Sequence, residues 1–133
     1  MPVTPSFLTF VLEQLDLVNS VTSKRMFGGV GIYSTEVFFA LIDNDTLYFK
    51  VNDETRPAYV RERMKPFIPD PSRPESAMNG YYEVPVSVLE DRDELAAWAA
   101  RAMAAGAASV RSKRDRRRDS GRSKRRKPAR QKH

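Results

Sequence analysis

The chain has 133 residues, no cysteine, a single histidine and a formal charge of +6. This composition excludes disulfide scaffolds and thiol chemistry, and no apolar run approaches the roughly 18 residues of a membrane span, so one domain without membrane contact, working in the cytoplasm, is expected. The charge is divided: residues 1–110 carry 10 Lys and Arg against 15 Asp and Glu, residues 111–133 carry 13 against 2, and the two net charges of −5 and +11 recover the +6.

An acidic folded domain over 1–109 followed by a basic tail over 110–133 is therefore the expected organisation. The first residues lack the basic start and small-residue cleavage site of a secretory signal. Thr4 followed by Pro5 suits a helix start, because the hydroxyl caps a free amide and proline needs no donor in the first turn. Phe7, Leu8, Val11, Leu12, Leu15 and Val18 then recur at spacings of three and four, which predicts an amphipathic helix to about Leu17, packed on a sheet. Residues 19–23 show no apolar period and read as a loop.

Gly28, Gly29 and Gly31 fall within four positions. Glycine there supplies positive φ or room for another backbone, and a bulged strand start is the plainer reading. A phosphate cradle is the alternative, but the spacing fits neither GxGxxG nor GxxxxGK[ST], and a strand follows it instead of a helix. Three apolar runs, 30–33, 37–42 and 47–51, are separated by Ser34-Thr35-Glu36 and by Asp43-Asn44-Asp45-Thr46, the pattern of a three-stranded antiparallel meander. The middle run is apolar at every position and should be covered on both faces. Asp43-Asn44-Asp45 reads as a hairpin turn, since the Gly and distant Glu of a calcium loop are missing.

Residues 53–57 resemble a helix start, with a short helix expected through Tyr59, Val60 and Met64 and stopped by Lys65-Pro66. Pro69, Pro71 and Pro74 mark a surface loop over 69–76, and Phe67 and Ile68 suit a short edge strand. Residues 78–85 resume β character, with Tyr82 and Val84 on one face and Tyr81 and Glu83 on the other; the adjacent tyrosines are either half-buried sheet residues or a stacking surface for bases. Asp91 to Glu94 form a D-x-x-E cap, and a helix of about 18 residues follows, with Leu95, Trp98, Ala99, Ala102 and Met103 near one face. The expected fold is a small two-layer α+β domain. Its antiparallel sheet, a three-stranded meander plus one or two later strands, is flanked by an N-terminal helix, a short middle helix and a long C-terminal helix.

Beyond residue 110 no apolar period remains, like charges repel, and the tail is expected to be disordered when free. Its cations are Arg111, Lys113, Arg114, Arg116, Arg117, Arg118, Arg122, Lys124, Arg125, Arg126, Lys127, Arg130 and Lys132. These are the candidate nucleic-acid-binding residues, because Lys and Arg displace counterions from a polyphosphate and so hold DNA or RNA without reading sequence. A plain solubility tail is the bland alternative. Catalysis is not expected: there is no cysteine, and the one histidine is His133 in the tail, which removes the common triads and zinc sites. Asp43, Asp45, Asp53 and Glu54 leave a paired-carboxylate mechanism as the remaining chemical option. No cofactor or metal is expected.

Arg25, Met26, Phe27, Gly28, Gly29, Gly31 and Tyr33, then residues 39–42, 47–50, 80–85 and 95–98, resemble in order and spacing the N-terminal domain of the TfoX/Sxy family of bacterial competence regulators. The resemblance covers about residues 5–108. It implies an α+β domain with an antiparallel sheet flanked by helices, and a non-enzymatic role in transcription alongside a protein partner such as a transcription factor, which for the full-length regulators is the cyclic-AMP receptor protein. Those regulators carry a second, helical domain where this sequence carries its basic segment. Two other functions stay open on the residues alone: a protein-interaction module with no nucleic-acid role, and a small enzyme or ligand-binding domain at the glycine turn.

Overall fold

The computed structural model describes residues 3–26 and 28–109. Helix α1 (Pro5–Gln14) starts as the sequence dictates: Thr4 is extended, its hydroxyl oxygen accepts the Phe7 amide at 3.3 Å, and Pro5 occupies the first turn. The start is also tied down from outside. The Asp45 carboxylate accepts the Thr4 amide at 2.8 Å and the Thr4 hydroxyl at 3.0 Å. The helix ends at Gln14, short of the expected Leu17: Leu15 already has non-helical angles as the C-cap, and Leu17 is 55% exposed.

One antiparallel sheet runs through β1 (Val21–Met26), β2 (Gly29–Ser34), β3 (Val37–Asp43), β4 (Thr46–Lys50), β5 (Pro66–Phe67) and β6 (Met78–Glu83), in the spatial order β1-β2-β3-β4-β6-β5. The meander, the short edge strand and the last strand are where the sequence puts them. Strand β1 is the addition: residues 21–23, read as loop, belong to it. Its middle four residues are all exposed, so no alternation betrays it, and the ladder from Val21↔Ser34 to Met26↔Gly29 holds it to β2.

Two of the hairpins turn through pairs of residues with positive φ, Thr35 and Glu36 at 47° and 67°, and Asn44 and Asp45 at 51° and 52°. Such turns match the twist of the flanking strands and favour Asn-Gly. Asn44-Asp45 suits that geometry, whereas the β-branched Thr35 is strained in it. Replacing Thr35-Glu36 by Asn-Gly is expected to raise the free energy of unfolding by about 1 kcal/mol, read as a higher urea midpoint at unchanged slope.

Strand β3 carries a bulge. Ile32 pairs with Ala40 and Tyr33 with Phe38, which leaves Phe39 without a partner residue. The extra residue turns both Phe39 and Ala40 toward the core, where both are fully buried. With them on that face lie Val30, Ile32, Ile42, Leu47 and Phe49, against Val11 and Leu15 of α1. A short helix α3 (Val86–Leu89) adds Val88, and the last helix, α4 (92–109), adds Leu95, Ala99 and Ala102. Asp91 caps α4 as expected, its carboxylate accepting the amides of Asp93 and Glu94 at 3.1 and 3.2 Å. The alanines let α4 lie close to the sheet. At Gly106 the approach is closest: a Cβ there would stand 2.6 Å from the Phe38 carbonyl oxygen.

The middle helix α2 (Arg56–Arg61) buries Tyr59, whose ring meets Trp98 edge-on at 4.8 Å and Tyr82 at 6.1 Å. Gln14 joins the two long helices. Its amide group donates to the Leu89 carbonyl at 2.9 Å and its oxygen accepts from Arg92 at 3.2 Å, while Arg92 also reaches Asp16 at 3.2 Å. The four α-helices among the described residues all contribute to the same core. Among the described residues the middle strand is covered by helices on one face only, and the bulge at Phe39, by sending two successive residues inward, accounts for part of its unbroken apolar run.

Candidate functional site on the open sheet face

Strand alternation sends a second set of side chains to the opposite face of the sheet: Thr22 and Lys24 from β1, Tyr33 from β2, Phe38 and Leu41 from β3, Tyr48 and Lys50 from β4, and Tyr81 from β6. Three aromatic rings form a stripe across the strands at one end. The Tyr33 and Phe38 rings lie 5.2 Å apart and those of Phe38 and Tyr81 5.9 Å apart, both pairs tilted. Lys50 Nζ stands 4.8 Å from the centre of the Tyr81 ring, a cation–π contact. A second pair, Tyr48 and Phe67 at 5.0 Å, covers the β5 side.

Beside the stripe opens an apolar groove of 430 Å³, walled by Met26, Phe38, Leu41, Phe67, Met78 and Tyr81. The two methionines give it adaptable walls. Past Tyr33 lies a polar groove of 520 Å³ whose lining includes Thr22, Ser23, Lys24, Tyr33 and Glu36. Burial pushes the Tyr81 phenol above its ordinary value, with Tyr33 adding to the rise; burial, then Glu83 and Asp43, does the same to Tyr48. Tyr59, in the core, is raised further by burial. Neutral phenols at physiological pH make this a surface for apolar contact and stacking, with hydroxyls at its rim.

The glycine run sits at the edge of the same face, and its residues have separate reasons. Gly28 takes φ +83° in the β1–β2 turn. Gly29 faces a neighbouring backbone: a Cβ there would lie 2.6 Å from the Ile42 carbonyl oxygen. Over Gly31 the Met26 side chain crosses to meet Phe38, leaving only 2.6 and 2.9 Å for an added Cβ. These glycines make room for the groove wall, and the expected bulge lies in β3 and not among them. Gly29→Ala is expected to destabilise the domain by roughly 1–3 kcal/mol, since backbone must shift to admit the methyl group. A midpoint unchanged in urea would contradict that.

Arg25 of the same motif is exposed on β1, and Phe27 lies outside the described residues, as do Arg111, Lys113, Arg114, Arg116, Arg117, Arg118, Arg122, Lys124, Arg125, Arg126, Lys127, Arg130 and Lys132. The carboxylates do not converge. Asp43 and Asp45 flank the start of β4, whereas Asp53 and Glu54 follow its far end, and Asp53 pairs with Arg56 at 2.8 Å. Among the described residues no three of His, Cys, Asp and Glu come together, and no helix is long and apolar enough to cross a membrane. Of the two adjacent tyrosines only Tyr81 lies on this face, Tyr82 being in the core; the groove's signal is the outward half of the strand alternation, read across four strands at once.

The model of the TfoX N-terminal domain family matches residues 13–106. No curated protein matches the chain.

Proposed function

The chain belongs to the TfoX N-terminal domain family, and from that premise we propose a non-enzymatic, cytoplasmic regulatory protein whose basic segment holds DNA or RNA while its folded domain engages a protein partner such as a transcription factor. The observation that carries this reading is the separation of charge, −5 over residues 1–110 and +11 over 111–133. A polyanion is drawn to the second segment and repelled by the first, so affinity resides in the cations and selectivity must come from elsewhere.

The test compares the full chain with a 1–110 truncation on one labelled duplex DNA and one RNA. Binding by the full chain alone is the expected outcome. Binding by neither at physiological salt would discard the nucleic-acid role and leave a protein-interaction module. That second reading has its own support in the apolar groove between Met26 and Met78, which has the concave, adaptable character of a peptide-docking surface. Copurification of a stoichiometric partner that survives nuclease treatment and loss of residues 111–133 would favour it.

A further inference from the structure

The last helix and the aromatic stripe meet at one end of the sheet. Gly106 of α4 abuts the backbone of Phe38 from the core side, and Phe38 is the central ring of the stripe on the open side. Residue 109 follows within one helical turn. The 24 residues from 110 onward, 13 of them Lys or Arg, start there. At about 3.3 Å per extended residue, only a few of them are needed to round a sheet edge about 10 Å thick. The segment with the strongest concentration of positive charge thus begins after the helix end that packs behind Phe38.

The face itself has two kinds of surface in sequence: the apolar groove, then Phe38 and Tyr33, then a groove bearing the Thr22 hydroxyl and the Lys24 ammonium, with the Glu36 carboxylate also in its lining. A ligand that suits this order has flat apolar parts alternating with an anionic, hydrogen-bonding backbone. Unpaired nucleotides have that chemistry, and a duplex does not present it, because its base faces are stacked on each other. An apolar peptide segment would fill the first groove but make no use of the second.

We propose that Tyr33, Phe38 and Tyr81, with the grooves on either side, bind single-stranded nucleic acid. Unpaired bases lie against the rings and in the groove under Met26 and Met78, with Lys24 facing the phosphodiester backbone; the cations of 111–132 serve only as the electrostatic anchor proposed above. This rests on the nucleic-acid reading above and names its substrate as single strands.

The test measures anisotropy of a labelled 12-nucleotide single strand and of a 12-base-pair duplex with the full chain at one salt concentration. Tighter binding of the single strand is expected. Tyr33→Ala and Tyr81→Ala should each weaken it by roughly five- to a hundredfold, the range for one lost stacking partner, while duplex affinity stays unchanged and Tyr33→Phe and Tyr81→Phe bind as the parent does. Equal affinity for both forms, or ring variants that bind the single strand undiminished, would overturn the proposal while leaving the electrostatic anchor standing, and would return the groove to a protein partner. No binding of either form would remove both. Should an alanine variant fail to fold, photocrosslinking of the parent chain to a bromouracil-containing strand decides the matter: crosslinks at Tyr33, Phe38 or Tyr81 are expected, and crosslinks confined to residues 111–132 would refute the site.

Discussion

Between 50 and 200 mM salt the full chain is expected to lose roughly a thousandfold in affinity for duplex DNA. Each cation that replaces a condensed counterion on the phosphate backbone adds about 0.9 to the slope of log affinity against log salt, so six such contacts give a slope near −5. Residues 111–133 supply 13 cations, and six contacts use fewer than half of them. The folded domain works in the opposite direction, since residues 1–110 carry a net charge of −5. A 1–110 truncation should therefore show no salt-sensitive duplex binding. Two duplexes of unrelated sequence should behave alike, because phosphate contacts carry no base information. A slope near zero for the full chain, or a strong preference between the duplexes, would contradict an electrostatic anchor.

The elements that proved legible in the sequence are those whose determinants lie close together in it. Thr4-Pro5 and the D-x-x-E at Asp91 to Glu94 fix helix starts through hydrogen bonds spanning three residues, and both caps are present. Asn44-Asp45 fixes a hairpin in the same way. Strand β1 was not legible because an exposed edge strand needs no apolar alternation; its hydrogen bonds to β2 depend on a partner that the local sequence does not name. For similar reasons Asp45 reads as a turn residue and turns out also to anchor Thr4, 41 positions away. The open face was least legible of all. Its walls come from Met26, Phe38, Phe67 and Tyr81, and no periodicity links residues so far apart. Even the glycines, conspicuous in the sequence, gain their reasons only from the Ile42 carbonyl and the Met26 side chain that pass over them.

Phe39→Ala is expected to destabilise the domain by about 3–5 kcal/mol, a large part of the roughly 5–15 kcal/mol that holds a domain together, whereas Phe38→Ala should cost well under half as much. The two residues are neighbours of identical chemistry, and the bulge separates their fates. Phe39, left without a partner in β2, is fully buried and packs on Phe49 at 5.7 Å, so its loss opens a cavity beneath α1 and α4. Phe38 lies on the open face, half-buried between Tyr33 and Tyr81, where water already reaches the site and no closed cavity can form. Urea unfolding of both variants at constant slope measures the difference. The inequality bears on function as well as stability. A face that is open in the isolated chain gives a small cost at Phe38, and the same substitution should then reduce ligand affinity more than it reduces stability. Equal costs at the two positions would mean that the open face is covered in solution, and the rings could not serve as a free binding surface.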